Sequence, residues 1–413
     1  MKKLFPCDFF FIFLIIAGCS TSHSETEAES NLPVSKGIHF SPNHGTSNVP
    51  LNIFKEDDMF HLFYSTGSSE WGHATSPNMI HWTSQGALNA KVRNVGDIVS
   101  KKKAGDSTYQ WVMFFLEDNT VKSLISNNRN EWESNDLSTS PLAGGIPKIN
   151  KLPNDGWMMT ITNEETISFY QSQDLYQWTA INSVANDYEA EFAELATIDG
   201  ASFLVIDGYA IHVKMELEEG KYMARDKYNM PQKLKGTFFQ SEGVNYLIYS
   251  LEDNMFSTPM EASVNAEGDI QLAPSSLLRK QVLVKRRGRL NNLVGGDMPT
   301  WFSFKVDEID RSTTLLLSNE LDEVEEVSIQ RKTNSYSISF NEIVQDVAWT
   351  SNDAKVSFEI LVDQNYIGIF FAGKSHVVST PSVGSFPKKI QVLNDGADIN
   401  PPAIVYSISE EPY

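Results

Sequence analysis

The chain has 413 residues, of which 41% are hydrophobic and 21% charged, and its formal net charge is −20 at pH 7. This length predicts two or three domains with cores of their own, and the composition is that of a globular protein. The longest basic runs are Lys101–Lys103 and Lys285–Arg287. Because phosphate backbones require clustered positive charge, we expect no nucleic-acid partner, and the acidic balance favours a neutral ligand.

The N-terminus predicts export and a lipid anchor. Two lysines precede an apolar run from Leu4 to Ile16, which Ala17-Gly18-Cys19 ends. This pattern is typical of a secretory signal and is too short for a stable membrane-spanning helix. Small residues directly before a cysteine resemble the lipobox of bacterial lipoproteins, which implies a signal peptide over residues 1–19 and acylation of Cys19. We expect attachment to the bacterial cell envelope, at the outer membrane or cell surface. The alternative is an ordinary signal peptide with an incidental Cys19.

Residues 20–35 are rich in Ser, Thr and Glu without an apolar period, which predicts a flexible tether. Cys7 and Cys19 are the only cysteines in the sequence. Cleavage before Cys19 would leave no thiol for a disulfide, a nucleophile or a zinc site. The sequence also has no Gly-rich phosphate loop, no Ser-His-Asp arrangement and no Cys/His cluster, so we expect neither a cofactor nor a metal.

Residues 36–274 carry a repeat. The motif Ser-x-[Asn/Asp]-x-x-x-Trp occurs at residues 76–82, 126–132 and 172–178, in near-constant phase. Aromatic-rich predicted strands recur at similar steps, namely Met59–Ser65, Gln110–Leu116, Trp157–Ile161, Ser202–Ile206 and Val244–Ser250. Five repeats of about four short strands predict a five-bladed β-propeller, whose blades bury their faces only by closing into a ring. The alternative is a large β-sandwich.

Residues 275–413 read as a β-sandwich of seven or eight short strands. The predicted strands are Leu277–Val284, Trp301–Val306, Thr313–Leu317, Ser335–Phe340, Val356–Val362, Ile367–Phe371 and Val377–Val378. No motif in this region carries chemistry. We expect it to support the propeller, with an accessory sugar-binding role as the alternative.

Several stretches together carry a family resemblance. They are His39-Phe40-Ser41-Pro42, Trp71-Gly72-His73-Ala74-Thr75-Ser76 with His81-Trp82, Phe169–Trp178, Tyr222–Tyr228 and Phe358–Phe371. In this order they resemble glycoside hydrolase family 32, which comprises invertases, levanases and inulinases. The resemblance spans essentially all of the mature chain. It implies an all-β fold, a five-bladed β-propeller followed by a C-terminal β-sandwich, and a carbohydrate ligand.

The resemblance breaks down at the family's catalytic motifs. The nucleophile motif Trp-Met-Asn-Asp-Pro-Asn-Gly corresponds here to residues 46–52, where Asn48 matches but Val49 occupies the position of the nucleophilic Asp. The motif Arg-Asp-Pro corresponds to residues 145–147, where Ile146 replaces the Asp that stabilises the transition state. Retaining hydrolysis requires two carboxyl groups about 5–5.5 Å apart. The resemblance therefore implies a site that lacks two of its carboxylates.

The family's acid/base Glu falls within residues 188–194, where either Glu189 or Glu191 matches it. One of the two is our candidate for a residual acid/base, with a plain surface-loop position as the alternative. Asp57, Asp58 and Asp97, the remaining nearby acids, are interpreted as solvated loop charges.

Four residues are candidates for sugar binding. Asn48 and Asp226 match polar positions of the family, and Trp71 and His73 could present rings to the apolar face of a sugar. Aromatic residues at such positions also form the core between propeller blades, which is the alternative for Trp71 and His73.

Three functions remain open from the sequence. The first is binding of a fructan-like oligosaccharide or polysaccharide by a catalytically impaired, lipid-anchored member of this family. The second is an active glycosidase of the β-fructosidase type with a rearranged site. The third is a non-catalytic protein-interaction module.

Overall fold

The structure is a computed structural model. It describes residues 37–42, 49–66, 71–88, 90, 96–103, 105, 108–135, 137, 145–152, 155–188, 190–191, 193–206, 211–229, 235–251, 255–266, 268–307, 309, 311–321, 323–333, 335–340, 343–348, 355–363, 366–371, 375–379 and 387–409. These residues form five four-stranded and two six-stranded antiparallel sheets. Neither helix among them has the length and apolar character needed to cross a bilayer.

The five four-stranded sheets follow one another along the chain. The first contains β1 (Val49–Glu56), β2 (Met59–Ser65), β3 (Trp71–Ser76) and β4 (Thr83–Ala87). The second contains β5 (Gly96–Lys102), β6 (Tyr109–Glu117), β7 (Thr120–Ser126) and β8 (Glu133–Asn135). The third contains β9 (Ile146–Lys151), β10 (Trp157–Thr162), β11 (Thr166–Ser172) and β12 (Thr179–Ala185). The fourth contains β13 (Ala193–Ile198), β14 (Ala201–Ile206), β15 (Ile211–Glu218) and β16 (Lys221–Asn229). The fifth contains β17 (Gly236–Ser241), β18 (Val244–Tyr249), β19 (Met260–Val264) and β20 (Ile270–Pro274).

The first strands of these sheets close a ring. Each of β1, β5, β9 and β13 contacts the first strand of the next sheet, and β17 contacts β1. Every sheet is therefore a blade, and the predicted five-bladed propeller is confirmed. The predicted aromatic-rich strands are the second strands of the blades. They are aromatic because such strands are covered on both faces; in β10, for example, every residue is buried.

The repeated seven-residue motif forms the same turn after the third strand of the first three blades. In the third copy, Asp174 Oδ1 accepts hydrogen bonds from the backbone N–H groups of Tyr176 (2.8 Å) and Gln177 (2.7 Å). The Ser172 oxygen accepts one from Leu175 N at 2.8 Å. The fourth residue of each copy has a positive φ: 64° at Met79, 70° at Arg129 and 71° at Leu175. The side chains of Ser and Asn or Asp thus replace the backbone pairing that the turn interrupts.

The two six-stranded sheets follow the propeller. One has the order β21 (Val282–Arg289), β32 (Pro402–Ile408), β22 (Thr300–Asp307), β27 (Lys355–Asp363), β28 (Tyr366–Phe371) and β29 (Ser375–Ser379). The other has the order β26 (Ile343–Ala348), β25 (Ser335–Phe340), β24 (Val324–Arg331), β23 (Ser312–Ser318), β30 (Lys389–Asn394) and β31 (Ala397–Ile399). Apolar residues of both sheets pack into one core, which confirms the predicted β-sandwich.

Two details of the sandwich differ from the sequence prediction. Its described residues form twelve strands rather than seven or eight, because strands with exposed polar faces, such as the eight-residue β24, lack a strong apolar signal. The predicted strand Leu277–Val284 is wrong in its first half, which is the helix α1 (Ser276–Lys280). Ser275 caps this helix, since its side chain accepts a hydrogen bond from Leu277 N at 3.1 Å.

A buried polar contact joins the start of the propeller to the sandwich. Asp363 Oδ2 on β27 accepts hydrogen bonds from the backbone N–H groups of Ile38 (2.8 Å) and His39 (3.2 Å), and it lies 2.8 Å from His39 Nδ1. The ring of Tyr366 lies 3.9 Å from that of His39. Gly37 has a φ of 90°, and a Cβ there would lie 2.6 Å from the Asp363 carboxylate. Glycine thus allows the chain to pass close to Asp363.

We expect Asp363→Ala to lower the free energy of unfolding by about 3 kcal/mol, because it leaves three buried donors without their acceptor. Urea unfolding followed by tryptophan fluorescence measures this. Asp307→Ala is the matched control, since Asp307 lies on the neighbouring strand β22 in an exposed ion pair with Lys355 at 3.6 Å; it should cost less than about 1 kcal/mol. Equal losses in the two variants would contradict the importance of this contact.

Candidate functional site

Charged side chains lie inside the ring of first strands. Asp97 is the second residue of β5 and is 1% exposed. Its Oδ1 accepts hydrogen bonds from Asn52 Nδ2 (2.8 Å) on β1 and from Ile98 N (2.7 Å), and its Oδ2 accepts one from Ile149 N (2.6 Å) on β9. The interpretation of Asp97 as a solvated loop charge is therefore wrong, because the strand begins one residue earlier and turns this carboxylate into the protein. Asp57 and Asp58 are exposed in the β1–β2 turn, as predicted.

Lys148 and Glu194 complete a buried charge cluster with Asp97. Lys148 lies on β9 and Glu194 on β13, and both are buried. Glu194 Oε1 accepts a hydrogen bond from Asn150 Nδ2 on β9 at 2.9 Å, and Oε2 accepts one from Phe238 N on β17 at 3.2 Å. Lys148 interacts electrostatically with both carboxylates. The cluster and its hydrogen-bond partners therefore involve the first strands of all five blades.

Burial controls the protonation of the two acids. It raises the pKa of Asp97 to about 6, and Lys148 together with the hydrogen bonds to Asp97 offsets this only in part. Burial also raises the pKa of Glu194, again against the opposing effect of Lys148. Lys148 is thus shared by two buried acids, and Asp97 and Glu194 bind a proton more readily than exposed carboxyl groups do. No group of three or more His, Cys, Asp or Glu side chains in the described part of the chain could hold a metal ion.

The positions matched to the family's catalytic residues lie at the starts of ring strands. Val49 is the first residue of β1 and Ile146 the first of β9, and both are half-buried. Glu191 is exposed and lies two residues before β13. Because the blades repeat one strand order, these starts share one end of the ring. Lys148 and Glu194 lie two and three residues further along from Ile146 and Glu191.

Trp71 and His73 lie in the packed core between the first and second blades. They are 3% and 8% exposed. The His73 ring stacks on Phe63 at 4.7 Å and meets the edge of Trp111 at 5.4 Å, while its Nε2 lies 3.0 Å from His61 Nδ1. Burial lowers the pKa of His73 well below its usual value, so the ring is neutral at pH 7. A sugar could stack on either ring only by displacing these contacts, and their role in binding stays a prediction.

Of the remaining predicted site residues, the structure describes Asp226, and it does not lie at this end of the ring. Asp226 is exposed on β16, the outermost strand of the fourth blade. Three strand spacings, about 14 Å, separate β16 from the ring strand β13. Asn48, Glu189 and the predicted lipid site Cys19 lie outside the described residues, and their roles stay predictions.

The buried acids have a recognisable signal in the sequence, which is an acidic residue inside an apolar strand. Asp97 and Glu194 each stand one or two residues into an apolar strand, in Gly96–Val99 and in Ala193–Ala196. A charge inside such a strand is buried only when it is paired. Glu56 on β1 follows the same rule: it is 3% exposed and accepts hydrogen bonds from Trp111 Nε1, Ser100 Oγ and Arg129.

A five-bladed propeller with charged residues in its ring, joined to a β-sandwich, is the architecture of a class of sugar hydrolases. The model of the glycosyl hydrolases family 32 N-terminal domain matches residues 39–246, just over half of the chain. The chain therefore belongs to glycosyl hydrolase family 32.

Individual relatives are distant. Invertase 2 of Saccharomyces cerevisiae is 26% identical in an alignment of 216 positions that covers 43% of this chain and 40% of the invertase. This chain thus matches less than half the length of that relative. A variant of the Bombyx mori β-fructofuranosidase, solved in complex with sucrose, has a TM-score of 0.70 at 18% identity over 92% of this chain and 95% of that one. A fructofuranosidase variant from Schwanniomyces occidentalis, solved with fructosylnystose, has a TM-score of 0.66 at 16% identity over 91% and 97%. These structural matches establish the fold.

The raised pKa of Asp97 predicts a pH dependence of stability. The carboxyl has an ordinary pKa near 4 when unfolded and about 6 when folded, so its stabilising contribution is complete below about pH 4 and is lost as the pH rises through 6. The unfolding free energy of the wild type, relative to that of Asp97→Asn, should therefore fall by about 2 kcal/mol from pH 4 to pH 7.

Urea unfolding across this pH range measures that difference. Asp226→Asn is the control, because it removes a carboxylate from an exposed position. If the wild type and Asp97→Asn gave parallel stability profiles, the burial of an ionisable group at residue 97 would be contradicted.

Proposed function

We propose that this protein binds fructan-like oligosaccharides or polysaccharides at the mouth of its propeller and has lost most or all of the family's hydrolytic activity. The observation that carries the proposal is that apolar Val49 and Ile146 occupy the starts of β1 and β9, where the family resemblance places two carboxylates. The proposal also includes a lipid anchor at Cys19 and a position at the bacterial cell envelope.

The chemistry of retaining hydrolysis supports impairment. The reaction needs a carboxylate that attacks the anomeric carbon and a second carboxyl group that transfers a proton. A valine side chain has no lone pair, so no change of rotamer at Val49 supplies a nucleophile. A general acid or base alone contributes about 10² to 10⁴-fold. Loss of the nucleophile and of a charge that stabilises the transition state lowers turnover further.

The backbone around Ile146 also supports the loss of the family's Arg-Asp pair. Gly145 stands where the family motif has Arg, and a Cβ at this position would lie 2.3 Å from the Thr162 carbonyl oxygen. An arginine therefore does not fit here unless β9 moves relative to β10. The replacement of Arg-Asp by Gly-Ile thus involves the distance between β9 and β10 in the third blade as well as two side chains.

A sugar-binding role is supported by the family and its solved relatives. Sucrose and fructosylnystose are held by the insect and yeast enzymes described above. Neutral sugars are recognised by hydrogen bonds and ring contacts, which survive the loss of the reacting carboxylates.

A second candidate is an active glycosidase with a rearranged site. Glu191 favours it, because this residue is exposed at the end of the ring where β13 begins. Asp97 has a pKa of about 6, which suits proton transfer near neutral pH, but its oxygens are occupied by three donors inside the ring. A protein-interaction module remains the third candidate.

The test uses the purified protein with levan, inulin, sucrose and a mixed glycan panel, following binding heat and released sugar in parallel. We expect binding without release. Release that falls about 10² to 10⁴-fold in Glu191→Gln would overturn the proposal in favour of an active enzyme. Glu165→Gln is the control, because Glu165 is an exposed glutamate in the β10–β11 hairpin of the third blade. Neither binding nor release would favour the interaction module.

We further expect Val49→Asp combined with Ile146→Asp to raise sugar release above background, with neither single change sufficient. The physical reason is that nucleophilic attack and charge stabilisation act on the same transition state. Released fructose, measured by chromatography for both single variants and the double variant, checks this. No release from a double variant that still binds sugar would show that the geometry of the site, as well as its charges, has been lost.

A further inference from the structure

One edge of the sandwich is strongly basic in this acidic protein. Strand β21 lies at the end of its sheet, so one side of its backbone has no neighbouring strand among the described residues. Every residue of β21 after the first is exposed. We call the following set the basic edge: Arg279 on α1, and Lys285, Arg286, Arg287 and Arg289 on β21.

Four of these five cations share one face of the sheet. Lys285 pairs with Tyr406 across the ladder, Arg287 with Ile404, and Arg289 with Pro402, so their side chains alternate with that of Arg286. Lys285 Nζ lies 5.2 Å from the Tyr406 ring centroid. Arg279 lies 5.1 Å from the ring of Trp301, which is opposite Tyr406 in the same sheet. Arg279 and Lys285 thus stand on neighbouring aromatic rings at the margin of the face that packs on the propeller through Trp301, and Lys285 itself is exposed there.

No described carboxylate forms a salt bridge with any residue of the basic edge. By contrast, the buried Lys388 is paired with Asp297 and Glu320, and the exposed Arg129 is paired with the buried Glu56. Glu359, an acid on the same face, accepts hydrogen bonds from Trp301 Nε1 and Ser303 Oγ, and it interacts electrostatically with Arg279 without forming a salt bridge. In a chain with 53 acidic and 33 basic residues, this local excess of positive charge indicates an anionic partner.

Two observations favour a lipid surface as that partner. Leu283 and Val284, at the start of β21, are 43% and 48% exposed, so apolar side chains lie beside the cations. The described chain begins at Gly37, and the next two residues are bound by Asp363 on β27 of the same sheet. Strand β27 is three strands from β21, about 14 Å.

The tether between the predicted lipid site and Gly37 is long enough for the basic edge to reach a membrane. Cys19 lies 18 residues before Gly37, and a chain of that length spans up to about 60 Å when extended. Lipidation at Cys19 would hold the sheet near a membrane, where basic residues gain further attraction to anionic head groups. We propose that the basic edge rests on anionic lipid head groups and orients the anchored protein. This inference rests on the predicted anchor but not on sugar binding.

The experiment compares partition of the full-length protein into vesicles of phosphatidylcholine alone and of phosphatidylcholine with phosphatidylglycerol. The ratio of the two partition coefficients cancels the contribution of the lipid anchor. Each cation near an anionic surface raises partition about fivefold. We therefore expect Lys285→Glu with Arg287→Glu to lower the ratio at least about 25-fold. Added salt should lower the wild-type ratio in the same direction.

Lys102→Glu with Lys122→Glu is the matched control. Lys102 also stacks on an aromatic ring, that of Tyr109 at 5.7 Å, and both lysines are exposed on the second blade. The control should leave the ratio within about twofold, whereas equal losses in both double variants would overturn the proposal. Charged residues on edge strands also prevent aggregation. The neutral double variant Lys285→Gln with Arg287→Gln is therefore tested as well, after light scattering has shown that it is a monomer. An unchanged vesicle ratio in this neutral variant would overturn the proposal, as would binding to soluble dextran sulfate but not to anionic vesicles. Sugar binding is recorded on the same variants and should not change.

Discussion

The buried charge cluster of Asp97, Lys148 and Glu194 is the interaction on which the propeller most depends. Hydrophobic packing between blades has no direction, whereas a buried carboxylate must meet its donors at fixed distances. Asp97 meets donors on β1 and β9, and Glu194 meets donors on β9 and β17. These bonds set the relative height of the blades in the ring. Removing one partner of such a buried pair lowers the free energy of unfolding by about 3–5 kcal/mol, because the remaining charge is buried without a partner or water.

The position of this cluster is compatible with the proposed loss of catalytic groups from an intact fold. Val49 and Ile146 stand at the starts of their strands, before the level at which Asn52, Lys148 and Ile149 make the bonds of the ring. A change from Asp to an apolar residue at the strand start removes no hydrogen bond from the cluster. The residues that hold the ring together and the positions matched to the family's catalytic residues are thus neighbours on the same strands, and under our proposal only the latter have changed.

The sequence predicted the fold better than the site, for physical reasons. The second strand of each blade is covered on both faces, so its aromatic residues form a clear periodic signal. The turn motif recurs because a Ser and an Asn or Asp side chain must satisfy the same backbone groups in each copy. Asp97 was misinterpreted because the Asn and Gly residues before it in the sequence are typical of a loop, and nothing local shows that its carboxylate will meet Ile149, more than fifty residues later in the chain. Aromatic residues such as Trp71 and His73 occur both in sugar-binding surfaces and in the core between blades, so their sequence pattern does not distinguish the two. The distinction depends on the neighbouring blade, where Trp111 packs against His73. The helix α1 was missed because five residues are too few to display a helical period.

The sandwich contributes more than support, because it fixes the approach to the ring. Asp363 binds the backbone of Ile38 and His39, and β1 begins at Val49, ten residues after His39. The segment that leads into the first ring strand is therefore held at one end by the sandwich and at the other by the propeller. Because His81 Nε2 also lies 2.9 Å from the Ser409 carbonyl oxygen, the first blade contacts the sandwich at a second point. Two such buried polar contacts, with the apolar core that extends from the fourth and fifth blades to Trp301 and Phe370, leave the two parts little freedom to rotate. An orientation imposed on the sandwich is thus an orientation of the propeller mouth, and a sugar bound there, as we propose, would be presented in a direction that the sandwich determines.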